Sequence, residues 1–261
     1  MTTAPDMLPR FSTDLSGEVA LVTGTTSGIG ARFAEVLAAC GAAVALTGRR
    51  TERLAPLAER IRARGGRSAS YALDVTDADS IVSVIDAVGA DLGPISILVN
   101  NAGIGIGAPA LSASLEDLDA MLATNVRGPF IAAREVARRM IEAGIEGRIV
   151  NVASITAVMT VPGIAGYATT KAALAQMTRV MAREWARHGI NVNALLPGYL
   201  LTEINAEHFA SPAGEKQLGR FPRRRLGEPA DLDGALLLLV SPASRFITGT
   251  LLTLDDGQSL G

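Results

Sequence analysis

Short apolar runs alternate along the chain with longer segments whose apolar positions recur every three or four residues. Val19-Ala20-Leu21-Val22 is the first run, and a glycine-rich turn separates it from a helical segment over Ala31 to Ala39. The alternation continues with a strand over 43–47 and a helix over 52–64, then a strand over 70–73 and a helix over 77–91. A strand over 95–99 precedes helices over 115–122 and 126–143, and a strand over 148–152 precedes a long helix over 165–188. Strand 190–195, a late helix over 230–240 and strand 250–254 complete the pattern. Near-continuous apolar strands set between amphipathic helices predict a parallel sheet covered on both faces, with right-handed crossovers. The expected fold class is α/β: a single-domain, doubly wound parallel sheet with helices on both faces. No linker, charge block or low-complexity stretch divides the chain. One domain is expected over 15–261, behind a loose, proline-containing arm over 1–14. The stretch from Pro197 to Pro229 lacks periodicity and holds Gly198, Pro212, Gly214, Gly219 and Pro222. It follows a strand's carboxyl end, where open α/β sheets bind ligands, and so suits a substrate flap over about 198–228.

Composition narrows the function. The net charge is −2 over 261 residues, 48% of them hydrophobic. That balance argues against a nucleic-acid surface, which needs a basic stripe. The one basic run, Arg223-Arg224-Arg225, follows Pro222 and reads as a solvated turn or ion-pairing site. A single cysteine, Cys40, excludes an intrachain disulfide, fits a reducing compartment and reads as a small core residue. His188 and His208 lack partners at metal-ligand spacing and sit among polar neighbours, so surface roles and no metal site are expected. The amino-terminal stretch has no long apolar core, and the run Ala235 to Val240 is too short to span a bilayer. Cytoplasm is the default location, with no membrane partner.

Two local patterns carry chemistry. Thr23-Gly24-Thr25-Thr26-Ser27-Gly28-Ile29-Gly30 joins the first strand to the first helix. Glycines let backbone N–H groups approach a pyrophosphate, and the helix amino end adds a favourable dipole. Tyr167 and Lys171 stand one helical turn apart on one face. A fixed ammonium favours phenolate, so Lys171 is expected to lower the Tyr167 pKa and make a proton donor and acceptor for physiological pH.

With these patterns in order, the chain resembles the short-chain dehydrogenase/reductase family from about Gly17 to Gly257. The matching segments are the T-G-x-x-x-G-x-G turn, Asp74, Asn100-Asn101-Ala102-Gly103, Asn125, Ser154, Tyr167 to Lys171, and Pro197-Gly198 with Thr202. The resemblance implies a Rossmann-like fold and an NAD or NADP cofactor held by Gly24, Thr26, Ser27, Gly28, Ile29 and Gly30. It places Asp74 on the adenine amino group with Val75 beside the ring. Asn101, Ala102 and Gly103 would line the cofactor, with Pro197, Gly198, Leu200 and Thr202 at its nicotinamide end. NAD-preferring members carry an acid at the end of strand two. This chain has Gly48 there, and the following Arg49 can pair with a phosphate, so NADP(H) is favoured with NAD(H) open.

The resemblance also implies the reaction, hydride transfer between nicotinamide C4 and a carbonyl carbon. Tyr167 is the acid, Ser154 holds the substrate oxygen, and Lys171 tunes Tyr167 and bonds the nicotinamide ribose. Asn125 supports a water relay towards Lys171. Ile104, Ile155, Met159, Ile164, Tyr199, Leu200 and Phe209 are the expected pocket walls. Their apolar character points to a small, neutral ketone or secondary alcohol. An NAD-linked alcohol or sugar dehydrogenase, a 3-oxoacyl reductase and a non-catalytic NADP-binding regulator stay open. The family implies a homotetramer packed through the Tyr167 helix, the helix before it and the last strand.

Overall fold

In the computed structural model, which describes residues 12–202 and 206–260, the chain runs β1 (Val19–Val22), α1 (Gly28–Ala39), β2 (Ala43–Gly48), α2 (Leu54–Ala63), β3 (Arg67–Ala72), α3 (Ala78–Asp91), β4 (Ile97–Asn100), α4 (Leu115–Leu122), α5 (Gly128–Ala143), β5 (Arg148–Val152), α6 (Ala165–Trp185), β6 (Asn191–Pro197), α7 (Ala206–Phe209), α8 (Pro212–Leu218), α9 (Asp233–Val240) and β7 (Leu251–Leu254). These strands form one parallel sheet in the order β3-β2-β1-β4-β5-β6-β7. The chain builds outward from β1 to β3, then returns to the other side of β1 and builds outward again through β4. That reversal leaves a crevice beyond the carboxyl ends of β1 and β4, the place where such sheets hold ligands.

Successive strand residues face opposite sides. Ala20 and Val22 join the layer of Phe33, Leu37, Leu57, Ile61, Leu236 and Leu239, from α1, α2 and α9. Val19 and Leu21 join the opposite layer of Ile81, Ile85, Val136, Met140 and Met181, from α3, α5 and α6. Each fully buried Leu or Ile contributes about 1.5–3 kcal/mol. β1, β2 and β4 are buried at every position, which is why they read as unbroken apolar runs. Packing begins at Leu15, which is fully buried and donates its N–H to the Cys40 carbonyl at 2.7 Å. The expected arm over 1–14 lies largely outside the described residues, as do positions 203–205 of the expected flap.

Element ends differ from expectation where the apolar signal is thin. β3 starts at Arg67, ahead of the expected 70, because this edge strand alternates partly exposed polar residues and lacks an apolar run. α1 starts at Gly28 inside the glycine turn. The expected helix over 126–143 instead starts at Gly128, after a π-turn over Ala123–Arg127 that follows α4 directly. The irregular stretch after β6 contains α7 and α8. Ser211 caps α8 by accepting from the Gly214 N–H at 3.2 Å, with Pro212 in the first turn, a Ser-Pro start signal present in the sequence.

Candidate active site

The turn after β1 and the turn after β4 are one hydrogen-bonded unit. Thr23 Oγ1 accepts from the N–H groups of Asn101 and Ala102, each at 3.0 Å. The Asn101 side-chain amide donates back to the carbonyls of Thr23 at 2.9 Å and Gly24 at 3.0 Å. A Cβ on Gly24, whose φ is +73°, would stand 2.9 Å from the Ala102 Cα, and one on Gly30 would stand 2.3 Å from the Gly24 carbonyl oxygen. Side chains would fill this cradle, so glycine is required. Ser27, at the amino end of α1, makes no side-chain capping bond. The first-turn N–H groups therefore have no side-chain cap, an arrangement that suits a phosphate.

The end of β2 gives Gly48 a second meaning. A Cβ there would lie 2.5 Å from Thr26 Cγ2. An acid at this position would require Thr26 to move. Arg49 and Arg50 are both exposed beside the turn, and Arg50 Nη2 donates to Thr26 Oγ1 at 3.0 Å. Arg50 joins Arg49 as a group that could clamp a phosphate; its adjacency to Arg49 was the signal in the sequence. Asp74 Oδ1 accepts from the Thr76 N–H at 2.9 Å and the Thr76 hydroxyl at 2.8 Å. These bonds, with a smaller contribution from the Arg49 charge, hold its carboxyl below the usual range.

The four proposed catalytic residues converge at the carboxyl ends of β4 and β5. Ser154 follows β5; its Oγ accepts from the Thr156 N–H at 3.2 Å, and its hydroxyl lies near enough to the Tyr167 phenol to lower its pKa against the push of burial. Lys171 is 4% exposed, and its ammonium donates to the Val152 carbonyl at 2.9 Å. The ammonium lies 5.6 Å from the Tyr167 ring centroid. Asn125 is fully buried in the π-turn, a distortion that recurs at functional sites. Its Oδ1 accepts from the Ile104 N–H at 2.9 Å, and its Nδ2 donates to the Ile104 carbonyl at 2.8 Å and to Thr170 Oγ1 at 3.0 Å. Thr170 in turn donates to the Tyr167 carbonyl at 2.8 Å. Asn125 thus ties the loop after β4 to the first turn of the Tyr167 helix.

The expected lowering of the Tyr167 pKa is not found here. Burial pushes the phenol up; the Ser154 hydrogen bond opposes this, and the nearby Tyr199 phenol adds to it. Burial draws Lys171 down to about 8. For each group burial is the largest influence.

These residues line one cleft of about 1230 Å³, from the β1 turn and Arg49 through Asp74 and Val75 to Asn101, Ala102 and Gly103, then Ser154, Tyr167 and Lys171. Pro197, Gly198, Leu200 and Thr202 continue the wall; Asn125 stands behind it. Ile104, Ile155, Ile164 and Tyr199 line it as expected, but Met159 and Phe209 do not. His208, expected at the surface, is exposed and also lines the cleft. So do Gly105 and Gly107; a Cβ on Gly105 would lie 3.3 Å from the Tyr167 ring. The run Gly103-Ile104-Gly105-Ile106-Gly107 was the sequence signal for a close approach.

The short chain dehydrogenase model matches residues 18–213. The chain belongs to this family and is an oxidoreductase of it. It is 41% identical over 244 residues to a gluconate 5-dehydrogenase of Gluconobacter oxydans (strain 621H), covering 93% of this chain and 95% of that protein. It is 37% identical over 260 residues to a D-threitol dehydrogenase of Mycolicibacterium smegmatis (strain ATCC 700084 / mc(2)155), covering 100% of each. Among solved structures, a gluconate 5-dehydrogenase from Burkholderia cenocepacia J2315, in complex with NADP and tartrate, matches with a TM-score of 0.90 and 38% identity. That match covers 95% of this chain and 98% of the other.

Proposed function

We propose that the protein interconverts a neutral ketone and its secondary alcohol using NADP(H). The observation that carries this is the pair of hydroxyls, Ser154 and Tyr167, lining one cleft with the Lys171 ammonium beside the Tyr167 ring. Support for NADP(H) comes from Gly48, where an acid has no room, from Arg49 and Arg50 beside it, and from the NADP complex of the Burkholderia relative. Support for a neutral substrate comes from the cleft wall. Among its described residues the Lys and Arg side chains are Arg49 and Arg50, at the β2 end, and Lys171.

When bound, the cofactor supplies or accepts the hydride. Gly24, Gly28 and Gly30, with Thr26, Ser27 and Ile29, would hold its pyrophosphate; Asp74 and Val75 its adenine; and Asn101, Ala102 and Gly103, with Pro197, Gly198, Leu200 and Thr202, its nicotinamide half. Negative charge grows on the substrate oxygen during reduction, and placed donors stabilise it. Ser154 turns its hydroxyl from Tyr167 to that oxygen. Tyr167, protonated through neutral pH, gives its proton as general acid. Lys171 keeps a positive charge beside the phenolate that forms. Asn125 holds the Ile104 peptide and leaves one Oδ1 lone pair for a water that passes protons to Lys171. We extend the proposal to a cytoplasmic homotetramer, supported by the exposed Phe130 on α5 and Val180 on α6, each 45% exposed, and by the lone cysteine. Residues 198–228 would act as the substrate flap of the single domain.

The test is NADPH and NADH oxidation, followed by cofactor absorbance, over linear, cyclic and hydroxylated neutral ketones and over keto acids. Turnover of neutral ketones with NADPH is expected. Turnover confined to keto acids, or to NADH, would overturn the reading.

A further inference from the structure

The short segment from β6 through α8 brings together a polar chain that the catalytic group does not use. Tyr199 follows β6, His208 sits on α7 and Gln217 on α8. Three aromatic contacts hold the segment in place. Tyr199 stacks on Phe221 with centroids 5.3 Å apart and meets the edge of Phe209 at 5.9 Å. Phe209 in turn meets the edge of His208 at 5.0 Å. A polar contact runs alongside: His208 Nε2 bonds Gln217 Oε1 at 2.9 Å, and the Gln217 side chain lies near enough to the Tyr199 phenol to oppose the upward push of burial on its pKa.

Donor and acceptor roles follow from chemistry. An amide oxygen only accepts, so His208 Nε2 carries the proton, and in a neutral imidazole Nδ1 is then an acceptor. Tyr199 carries a phenol hydrogen that it can donate. Tyr199 and His208 both line the cleft. Tyr199 also lies close enough to Tyr167 to influence its proton. The flap side of the cleft therefore presents a hydroxyl donor near the catalytic phenol and a ring-nitrogen acceptor farther out. A donor beside an acceptor complements an alcohol, which is both. A carboxylate, which only accepts, has no partner in His208 Nδ1. Ile104, Ile155 and Ile164, which also line the cleft, add apolar surface.

We propose that Tyr199, Gln217 and His208 form a hydroxyl-recognition subsite, so that the substrate is an uncharged polyhydroxylated ketone or alcohol with a second hydroxyl on the flap side of the reacting carbon. This rests on the ketone–alcohol reading of the same cleft. Tyr199 and His208 touch the substrate, and Gln217 is a positioning residue that holds His208.

The selectivity ratio tests it: kcat/KM for a hydroxylated ketone such as erythrulose, divided by kcat/KM for cyclohexanone. His208→Ala is expected to lower this ratio about fivefold to tenfold, the worth of one hydrogen bond. His208→Asn, which retains an acceptor, restores part of it. Gln217→Leu lowers it by releasing His208. An unchanged ratio in His208→Ala and Gln217→Leu overturns the proposal. A second measurement reads binding without turnover. The chain has two histidines, so imidazole NMR signals assign readily with His208→Asn. Adding D-threitol to the enzyme saturated with NADP is expected to shift the His208 signals and leave those of His188 in place. Still His208 signals overturn the proposal. If no neutral ketone is reduced, the ketone–alcohol reading fails on that ground, and the NMR result still decides the subsite.

Discussion

The Lys171 ammonium donates to the Val152 carbonyl at 2.9 Å while 4% exposed. Among the described residues no carboxylate offsets its burial, and its pKa falls from 10.5 to about 8. A charge in this position costs folding free energy.

That cost has a sign in pH. Below pH 8 the lysine is protonated folded and unfolded, and the folded state carries the whole penalty. Between about pH 8 and 10.5 the folded lysine releases its proton first, the unfolded chain binds more protons, and stability rises with pH. Denaturant melts of cofactor-free wild type and Lys171→Met should show the wild type gaining on the variant through this window, by on the order of 3 kcal/mol. A constant difference would place Lys171 in a less desolvated setting.

Asn125 satisfies both backbone groups of Ile104. Asn125→Ala leaves partly buried polar groups unpaired, at a cost of about 1–3 kcal/mol. The thermal midpoint should drop, and turnover should fall with it because the loop beside Lys171 and the Tyr167 helix lose their tie. Loss of turnover with an unchanged midpoint would assign Asn125 to proton transfer alone.

Gly48→Asp is the obvious change towards NAD. With 2.5 Å between a Cβ there and Thr26 Cγ2, it should destabilise the protein by about 1–3 kcal/mol and weaken both cofactors. Gly48→Asp with Thr26→Gly should recover stability and bind NADH better than the single variant, as read by melting and by fluorescence titration.

Arg49→Ala and Arg50→Ala should each weaken NADPH about tenfold or more, the scale of a charge-assisted hydrogen bond, and change NADH little. Equal losses for both cofactors would assign the arginines to the shape of the Thr26 turn.

The glycine turn and the Tyr167–Lys171 pair were legible from residue type and spacing, and Asp74 and Ser154 from the family resemblance; all of them line one cleft. β1, β2 and β4 were legible because burial on both faces leaves an unbroken apolar run. β3 was blurred because an edge strand with exposed serines and arginine lacks that run. The π-turn at Asn125 was hidden because helical periodicity continues on either side of it. His208 depends on contacts between segments, Tyr199 with Phe221 and His208 with Gln217, that no local pattern encodes. The direction of the Tyr167 shift was missed because spacing shows the neighbouring charge but not the burial of both groups.

The most direct test of the central claim compares wild type with Tyr167→Phe in NADPH-dependent reduction of a neutral ketone, alongside NADPH binding by each. The account predicts a fall in kcat of about 10²–10⁴-fold with NADPH still bound, since a general acid is removed and the cradle at Gly24 to Gly30 is untouched. Turnover by Tyr167→Phe near the wild-type rate would contradict it.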